Sequence, residues 1–283
     1  MEDWMIIIGI VVLLAVIITI RVIYELRHLK ITELSFHSEK VTSESGLKAV
    51  FLTDLHSRSY GAENEILINT VRQSEPDYIF LGGDMLTDTC EKKDSVLFAL
   101  LNSLVQIAPV IYAPGNHEQR VLLEDSERQR IFHEKLAEAG VRFLQNEKVE
   151  LNQNINIYGL DIDSSHFGKV RPAPLLAEEL EEGIGRLDQG RYNILMAHSP
   201  KFFEVYAEYG ADLILSGHYH GGAVRLPLIG GVVSPQFRLF PKYSGGLYTK
   251  DGSNMFVSTG CGSHKINLRL FNRPEVVVID IRS

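Results

Sequence analysis

Cysteine is scarce in this chain: Cys90 and Cys261 are the only two among 283 residues. That excludes a disulfide-framed scaffold and any zinc site built on several thiolates. The pair allows at most one disulfide, and two isolated thiols in a large domain are expected to stay reduced. A positive surplus is also missing, because 36 acidic side chains face 28 basic ones for a formal net charge of -8. The acid excess persists when the first 46 residues are set aside. Binding to phosphate backbones draws on a positive surface, so nucleic acid is not an expected partner. Neither an internal repeat nor a low-complexity tract is present. With 45% hydrophobic and 23% charged residues, disorder is not indicated, and the length suffices for one large α/β domain with a sizeable core.

Charge is absent altogether from residues 5 to 20, and Val22, Ile23 and Tyr24 extend the apolar run past Arg21. At ~1.5 Å per residue the uncharged core reaches about 24 Å, short of a hydrocarbon layer of ~30 Å. Trp4, Tyr24 and a snorkelling Arg21 make up the difference. A cleaved signal peptide would carry a basic amino end and a small-residue cleavage site. Here Glu2 and Asp3 come first and no such site follows. The expected organisation is a transmembrane anchor over residues 1 to 26, a juxtamembrane linker over 27 to 46 in which 31 to 36 opens a first strand, and one catalytic domain over 47 to 283. Arg21, Arg27 and Lys30 follow the run, so the positive-inside bias places the domain on the cytoplasmic face of a single-pass protein.

From residue 47 onward, strand-like runs alternate with helical ones over 62 to 73, 92 to 106, 126 to 139, 174 to 187 and 200 to 209. Leu176, Leu180, Ile184 and Leu187 recur at helical spacing, as a stripe facing a sheet would. Further strand-like stretches lie near 155 to 160, 254 to 258 and 275 to 280, so the class is α/β with a mixed sheet. The stretch from 221 to 246 reads as a long, glycine- and proline-rich loop able to wall a pocket. Five apolar runs, 48 to 53, 78 to 81, 110 to 113, 193 to 197 and 213 to 216, each end on a polar cluster. The clusters are Asp54/His56, Asp84 after Gly82-Gly83, Asn116/His117, His198, and His218/His220. In open α/β sheets, ligands gather beyond the carboxyl ends of strands. Alone, each of the first four has an ordinary explanation as a turn, cap or structural histidine, whereas two imidazoles in the glycine-rich turn of His218 and His220 serve little packing purpose. Together the five clusters supply carboxylate, amide and imidazole donors to one crevice, a set that suits Mn, Fe or Zn and forms a site for two metal ions.

The order D-x-H, G-G-D, G-N-H-E, H and G-H-x-H closely resembles the calcineurin-like metallophosphoesterase superfamily. Residues 217 to 227, Gly245-Gly-Leu-Tyr248, Arg269 and residues 273 to 279 extend the likeness to its membrane-associated branch, which includes UDP-2,3-diacylglucosamine pyrophosphatase-like enzymes. The resemblance covers about residues 47 to 281 and implies a four-layer α/β/β/α sandwich. It also implies that Asp54, His56, Asp84 and His220 hold one divalent ion and that Asp84, Asn116, His198 and His218 hold the other, with Asp84 bridging. His117 then steadies the phosphoryl group or protonates the leaving oxygen. Two departures stand out: Thr87 occupies the place where many relatives carry an acid, leaving Asp88 as a displaced alternative, and Ala223 replaces a frequent Gln.

Arg225 and Arg269 carry planar donor pairs suited to a substrate phosphate. His28, His37, His133, His166 and His264 lie outside the motifs and read as ordinary surface or structural histidines. The function expected is a membrane-anchored, metal-dependent phosphoric ester hydrolase acting on a phosphomonoester, phosphodiester or pyrophosphate bond through metal-activated hydroxide. An anchor that keeps the site near the bilayer favours a lipid-linked or nucleotide-diphosphate substrate. The competing classes are a non-catalytic scaffold and a metal-binding or sensing protein on the same fold. A scaffold would be expected to have lost ligands, and every motif position here is filled.

Overall fold

In the computed structural model, residues 2–87, 94–167, 173–226, 229–233, 239–263 and 267–283 are described. Two six-stranded sheets lie face to face. The first has the order β1 (Lys30–His37), β14 (Glu275–Arg282), β2 (Leu47–Leu52), β3 (Tyr78–Leu81), β4 (Val110–Tyr112) and β5 (Arg142–Phe143). The second runs β12 (Gly246–Lys250), β13 (Ser253–Val257), β9 (Leu213–Ser216), β8 (Tyr192–Ala197), β7 (Ile155–Leu160) and β6 (Glu147–Glu150). β2 to β5 are parallel, as are β7, β8, β9 and β13.

Side chains alternate across each strand, and the alternation builds three apolar layers. Ala49, Phe51, Ile157, Ile194, Met196 and Val277 fill the space between the sheets. Val50, Leu52, Val276 and Val278 face the other way, toward α2 (Glu65–Gln73), α3 (Asp94–Leu104) and α5 (Ser126–Ala139). On the far side, Tyr158, Leu195 and Ile214 pack with α6 (Ala177–Ile184) and α7 (Phe203–Tyr209). The result is the four-layer α/β/β/α sandwich. Continuous apolar runs made these buried strands visible in the sequence; β5, β6, and the pair β10 (Val224–Leu226) and β11 (Gly230–Val233), short or half-exposed, left no comparable signal. The 221 to 246 stretch is thus partly structured. α4 (Asn116–Glu124) was also hidden, because it starts inside a motif and its first turn is polar.

α1 (Glu2–Arg27) is apolar, exposed over residues 3 to 21, and long enough to cross a membrane. Its last turn is seated on the sandwich. Glu25 is fully buried, 2.7 Å from Arg21 Nε, and accepts the Asn272 backbone N–H. Arg58 donates to the Leu26 carbonyl, and Arg273 to the carbonyls of His28 and Leu29. The strand expected over 31 to 36 follows immediately: Lys30–His37 pairs in register with Glu275–Arg282 as an edge strand, so the segment otherwise expected as a linker is partly built into the sheet. The sandwich thus includes residues well before 47. Because β1 runs parallel to β14 and β14 antiparallel to β2, β1 starts at the end of the sheet where β2 has its carboxyl end, with β14 between them.

Lys30 Nζ lies 2.7 Å from the buried Glu275 carboxylate, which also accepts from Thr32 Oγ1 and the Thr259 N–H. Burial raises the Glu275 pKa, but Lys30 and these donors outweigh it and hold the carboxyl below its ordinary value of 4.5. A depressed folded-state pKa stabilises the fold above the unfolded value, and the contribution disappears as pH falls through the folded one. Lys30→Met is therefore expected to cost about 1–3 kcal/mol at neutral pH, discounted for the half-exposed lysine. Urea unfolding in detergent should show the difference from wild type shrinking below pH 4. A pH-independent difference would trace the loss to packing instead.

Candidate metal centre

All five sequence clusters arrive at one place. β2, β3, β4, β8 and β9 end on the same side of the sandwich, and the chain beyond each delivers Asp54/His56, Asp84, Asn116/His117, His198 and His218/His220. The turns are tight: Asp54, His56, Asp84, His218 and His220 all have φ between 50 and 71°. Non-glycine residues seldom adopt that backbone, and such strain clusters at functional sites. Glycines allow the loops to touch. A Cβ on Gly217 would stand 2.1 Å from Asp54 Oδ2, and one on Gly83 would stand 2.4 Å from the Gly115 nitrogen.

His220 Nε2 lies 3.3 Å from Asp54 Oδ1 and 3.1 Å from His56 Nε2. His198 Nε2 lies 3.1 Å from Asp84 Oδ2, and its Nδ1 is 2.8 Å from the Gly82 carbonyl, which orients the ring. The donor atoms of Asp54, His56 and His220 fall within 4.8 Å of one another, as do those of Asp84, His198 and His218 and those of His56, Asp84 and His117. Asn116 Oδ1 is buried and has no hydrogen-bond partner among the described residues. Oxygen and imidazole donors converging in this way, with an amide oxygen left over, fit a hard or borderline divalent cation.

Electrostatics point the same way. Burial, with the charge of Asp84 adding, pushes the Asp54 carboxyl up to about 6 against the pull of His198. Burial also opposes ionisation of Asp84, yet His198, His117 and His56 together hold it well below the carboxylate range. His198 itself is drawn down by burial and lifted more by Asp84 and Asp54, to about 10. Two carboxylates buried side by side demand positive charge. Divalent cations would meet that demand.

His117 is buried, with its Nε2 3.9 Å from Asp84 Oδ2 and its backbone N–H donating to Asp84 Oδ1 at 2.8 Å. Its ring meets His56 edge-on at 4.6 Å between centroids. Sequence reading gave no role to its neighbour Glu118, which the structure makes central. This fully buried carboxylate accepts from the N–H groups of Asp84, Met85, Leu86 and Gly115 and from the Tyr112 hydroxyl, at 2.6 to 3.2 Å. It therefore staples the Asp84 loop to the start of α4. Glu118→Ala strands four buried N–H donors, so we expect a loss of about 3 kcal/mol or more. Glu118→Gln should fall between the two. Melting in detergent checks the ordering; an Ala variant as stable as wild type would rule the staple out.

Arg269 occupies a different place from the one expected. It is buried and donates to the carbonyls of Thr259, Gly260, Gly262 and Asn272, fixing the loop that lies against Asp54. Those contacts make it a loop-organising cation rather than an open phosphate donor. Arg225 donates Nη2 to the Gly245 carbonyl at 2.9 Å and lines a cleft apart from the cluster. Asn272, another residue without a sequence signal, donates to the carbonyls of His220 and Gly222 at 2.6 Å. Thr87 accepts from Arg128 at its carbonyl, and the Ala223 N–H bonds the Val233 carbonyl. Asp88, Cys90 and His264 lie outside the described residues. Cys261 is buried, its thiol pushed up to about 12 by desolvation. His28 stacks on Tyr24, His37 is exposed, His133 packs against Phe132 and Phe143, and buried His166 lies 3.2 Å from the Ala173 carbonyl. All four have the ordinary roles expected.

The layers and the convergent donors define an α/β/β/α sandwich protein with a candidate metal centre at its strand ends. The chain belongs to the calcineurin-like phosphoesterase family, whose sequence model matches residues 47–222. It is 31% identical over 254 residues to an uncharacterized metallophosphoesterase of Helicobacter pylori, covering 88% of this chain and 63% of that protein. Phosphodiesterase YaeI of Escherichia coli is 29% identical over 239 residues, covering 83% of this chain and 82% of that one. Among solved structures, a dimetal phosphatase from Danio rerio aligns with a TM-score of 0.42 at 11% identity, covering 76% of this chain and 87% of its own.

Proposed function

We propose that this chain is a membrane-anchored metallophosphoesterase. In this reading, Asp54, His56, Asp84 and His220 hold one divalent cation and Asp84, Asn116, His198 and His218 a second. The convergence of all seven side chains from five strand ends carries the proposal. When bound, such ions supply Lewis acidity toward phosphoryl oxygens and lower the pKa of a water. The protein's own part is positional. Gly82 orients His198, Asp54 accepts the His218 N–H, and Glu118 holds the Asp84 loop against α4. His117, held beside Asp84 through its backbone, delivers a proton to the leaving oxygen.

The test is turnover of a chromogenic phosphodiester, a phosphomonoester and a pyrophosphate by the full chain in detergent, with added manganese, beside metal content on the same preparation. Metal-dependent hydrolysis of at least one is expected. Stoichiometric metal without turnover of any would favour the scaffold reading.

A lipid-linked or nucleotide-diphosphate substrate is supported by the placement of α1. It joins the sandwich where β1 begins, at the same end of the sheet as the β2 end that carries Asp54 and two strands away from it. For topology, Arg21, Arg27 and Lys30 after the apolar run favour a cytoplasmic domain. A fluorescent protein fused after residue 283 in a bacterial host should then glow while an alkaline phosphatase fusion stays inactive. The opposite pattern at confirmed expression would put the domain outside.

A further inference from the structure

Beyond the candidate metal centre, the chain carries an unusual surface where α1 ends. Leu226, Ile229, Leu239, Phe240 and Phe271 are 37 to 68% exposed, and Leu239 and Phe240 are held to β11 through Val233 and Val232. Single exposed apolar residues are ordinary, but a contiguous group marks a contact surface. Leu226, Ile229 and Phe271 line one cleft of about 560 Å³ with Arg225, Lys242 and Tyr248. Arg225 and Phe271 also line a second cleft of about 300 Å³ with Arg21, Glu25, Lys30 and Arg273. None of the seven proposed metal ligands lines either cleft.

The occupant follows from continuity and charge. Arg21 marks the end of the uncharged run of α1, at the depth where a snorkelling arginine reaches the headgroups. Its guanidinium lies 5.5 Å over the Phe271 ring, so the apolar face begins at that depth. The cleft's cations match a negative surface. Lys242 is paired with Glu204, whereas Arg225, in the wall of both clefts, contacts the Gly245 carbonyl through Nη2 and has a buried Nη1 without a hydrogen-bond partner among the described residues. A mixed apolar and cationic face beside a membrane helix is the composition that beds into anionic headgroups.

We infer that the β10–β11 pair and Phe271 dock on the same bilayer that α1 crosses, with the charge of Arg225 in the cleft wall drawing that face toward anionic phospholipid headgroups. The inference rests on the reading of α1 as a membrane span. It fixes the orientation of the sandwich on the membrane. It also ties that orientation to the centre, since Asn272 receives α1 through its backbone N–H and holds the His220 and Gly222 carbonyls through its side chain.

The experiment uses the full chain with its single tryptophan removed (Trp4→Phe), reconstituted into vesicles of anionic phospholipid brominated near the headgroup. Ile229→Trp and Phe240→Trp report on the proposed face; Gln73→Trp, exposed on α2 at the opposite end of the strands, is the control. Emission from the two face probes should fall roughly twofold or more against unbrominated lipid, and the control should not change. Arg225→Gln in the Ile229→Trp background should weaken quenching in anionic vesicles and leave it unaltered in zwitterionic ones. If the chain resists carbonate extraction yet the face probes behave like Gln73→Trp, the docking inference falls while the anchor stands. Release by carbonate would overturn both. Matching melting curves for all variants in detergent establish that a lost signal is not lost fold.

Discussion

Asp84→Asn is expected to abolish metal-dependent turnover while leaving the sandwich folded. The side chain sits between both halves of the cluster: Oδ1 accepts the His117 N–H, and Oδ2 lies 3.1 Å from His198 Nε2. An amide keeps the size and the oxygen that His117 bonds, so the loop has little reason to move. What it removes is a charge that three imidazoles hold well below the ordinary carboxylate range. Loss of one preorganised polar group costs roughly 10² to 10³ in rate, and a carboxylate proposed to serve two ions should exceed that. His218→Ala should share the metal loss through one half of the cluster. Metal stoichiometry, rate and melting temperature measured on one preparation decide the matter. Full metal content with an unchanged rate in either variant would reject the proposed assignments.

His117→Ala should separate binding from chemistry. The ring is buried 3.9 Å from Asp84 Oδ2, and the Asp84 contact that orders its loop comes from the His117 backbone, which alanine keeps. Metal occupancy should therefore persist while turnover falls by roughly 10²- to 10⁴-fold, the scale for losing a positioned acid or base. Across a series of aryl phosphodiesters the loss should be largest for the most basic leaving group, because a good leaving group needs no proton. A uniform loss would favour charge stabilisation over proton delivery. Loss of metal would make His117 a ligand instead, in line with its proximity to His56 and Asp84.

The two largest effects concern residues whose order along the chain already suggested their roles, while the groups that support them were silent. Glu118 is adjacent to His117, but its five donors come from residues 84, 85, 86, 112 and 115, a set defined only after β3 and β4 lie side by side. Asn272 reaches back some fifty positions to His220, and nothing in its own neighbourhood marks it. Arg269 shows the converse: a planar cation near a motif suggested phosphate binding, and burial among four carbonyls gave it to the backbone. The 30 to 37 segment gives only a weak signal because its apolar residues, Ile31, Leu34 and Phe36, do not keep a strict alternation along the sequence and only Phe36 is buried at this sheet edge.

By itself the sequence determined the apolar runs, their alternation with helices, the polar cluster at each run's end and the length of α1, because burial imposes periodicities of 2 and 3.6 that composition cannot hide. Only the tertiary structure decided that five run-ends meet at one point, that Glu118 and Asn272 brace them, and that α1 is seated beside β1 with Glu25 buried. Those outcomes depend on pairings between segments tens to hundreds of residues apart, where one polar atom's partner is fixed by sheet order and register rather than by any local preference.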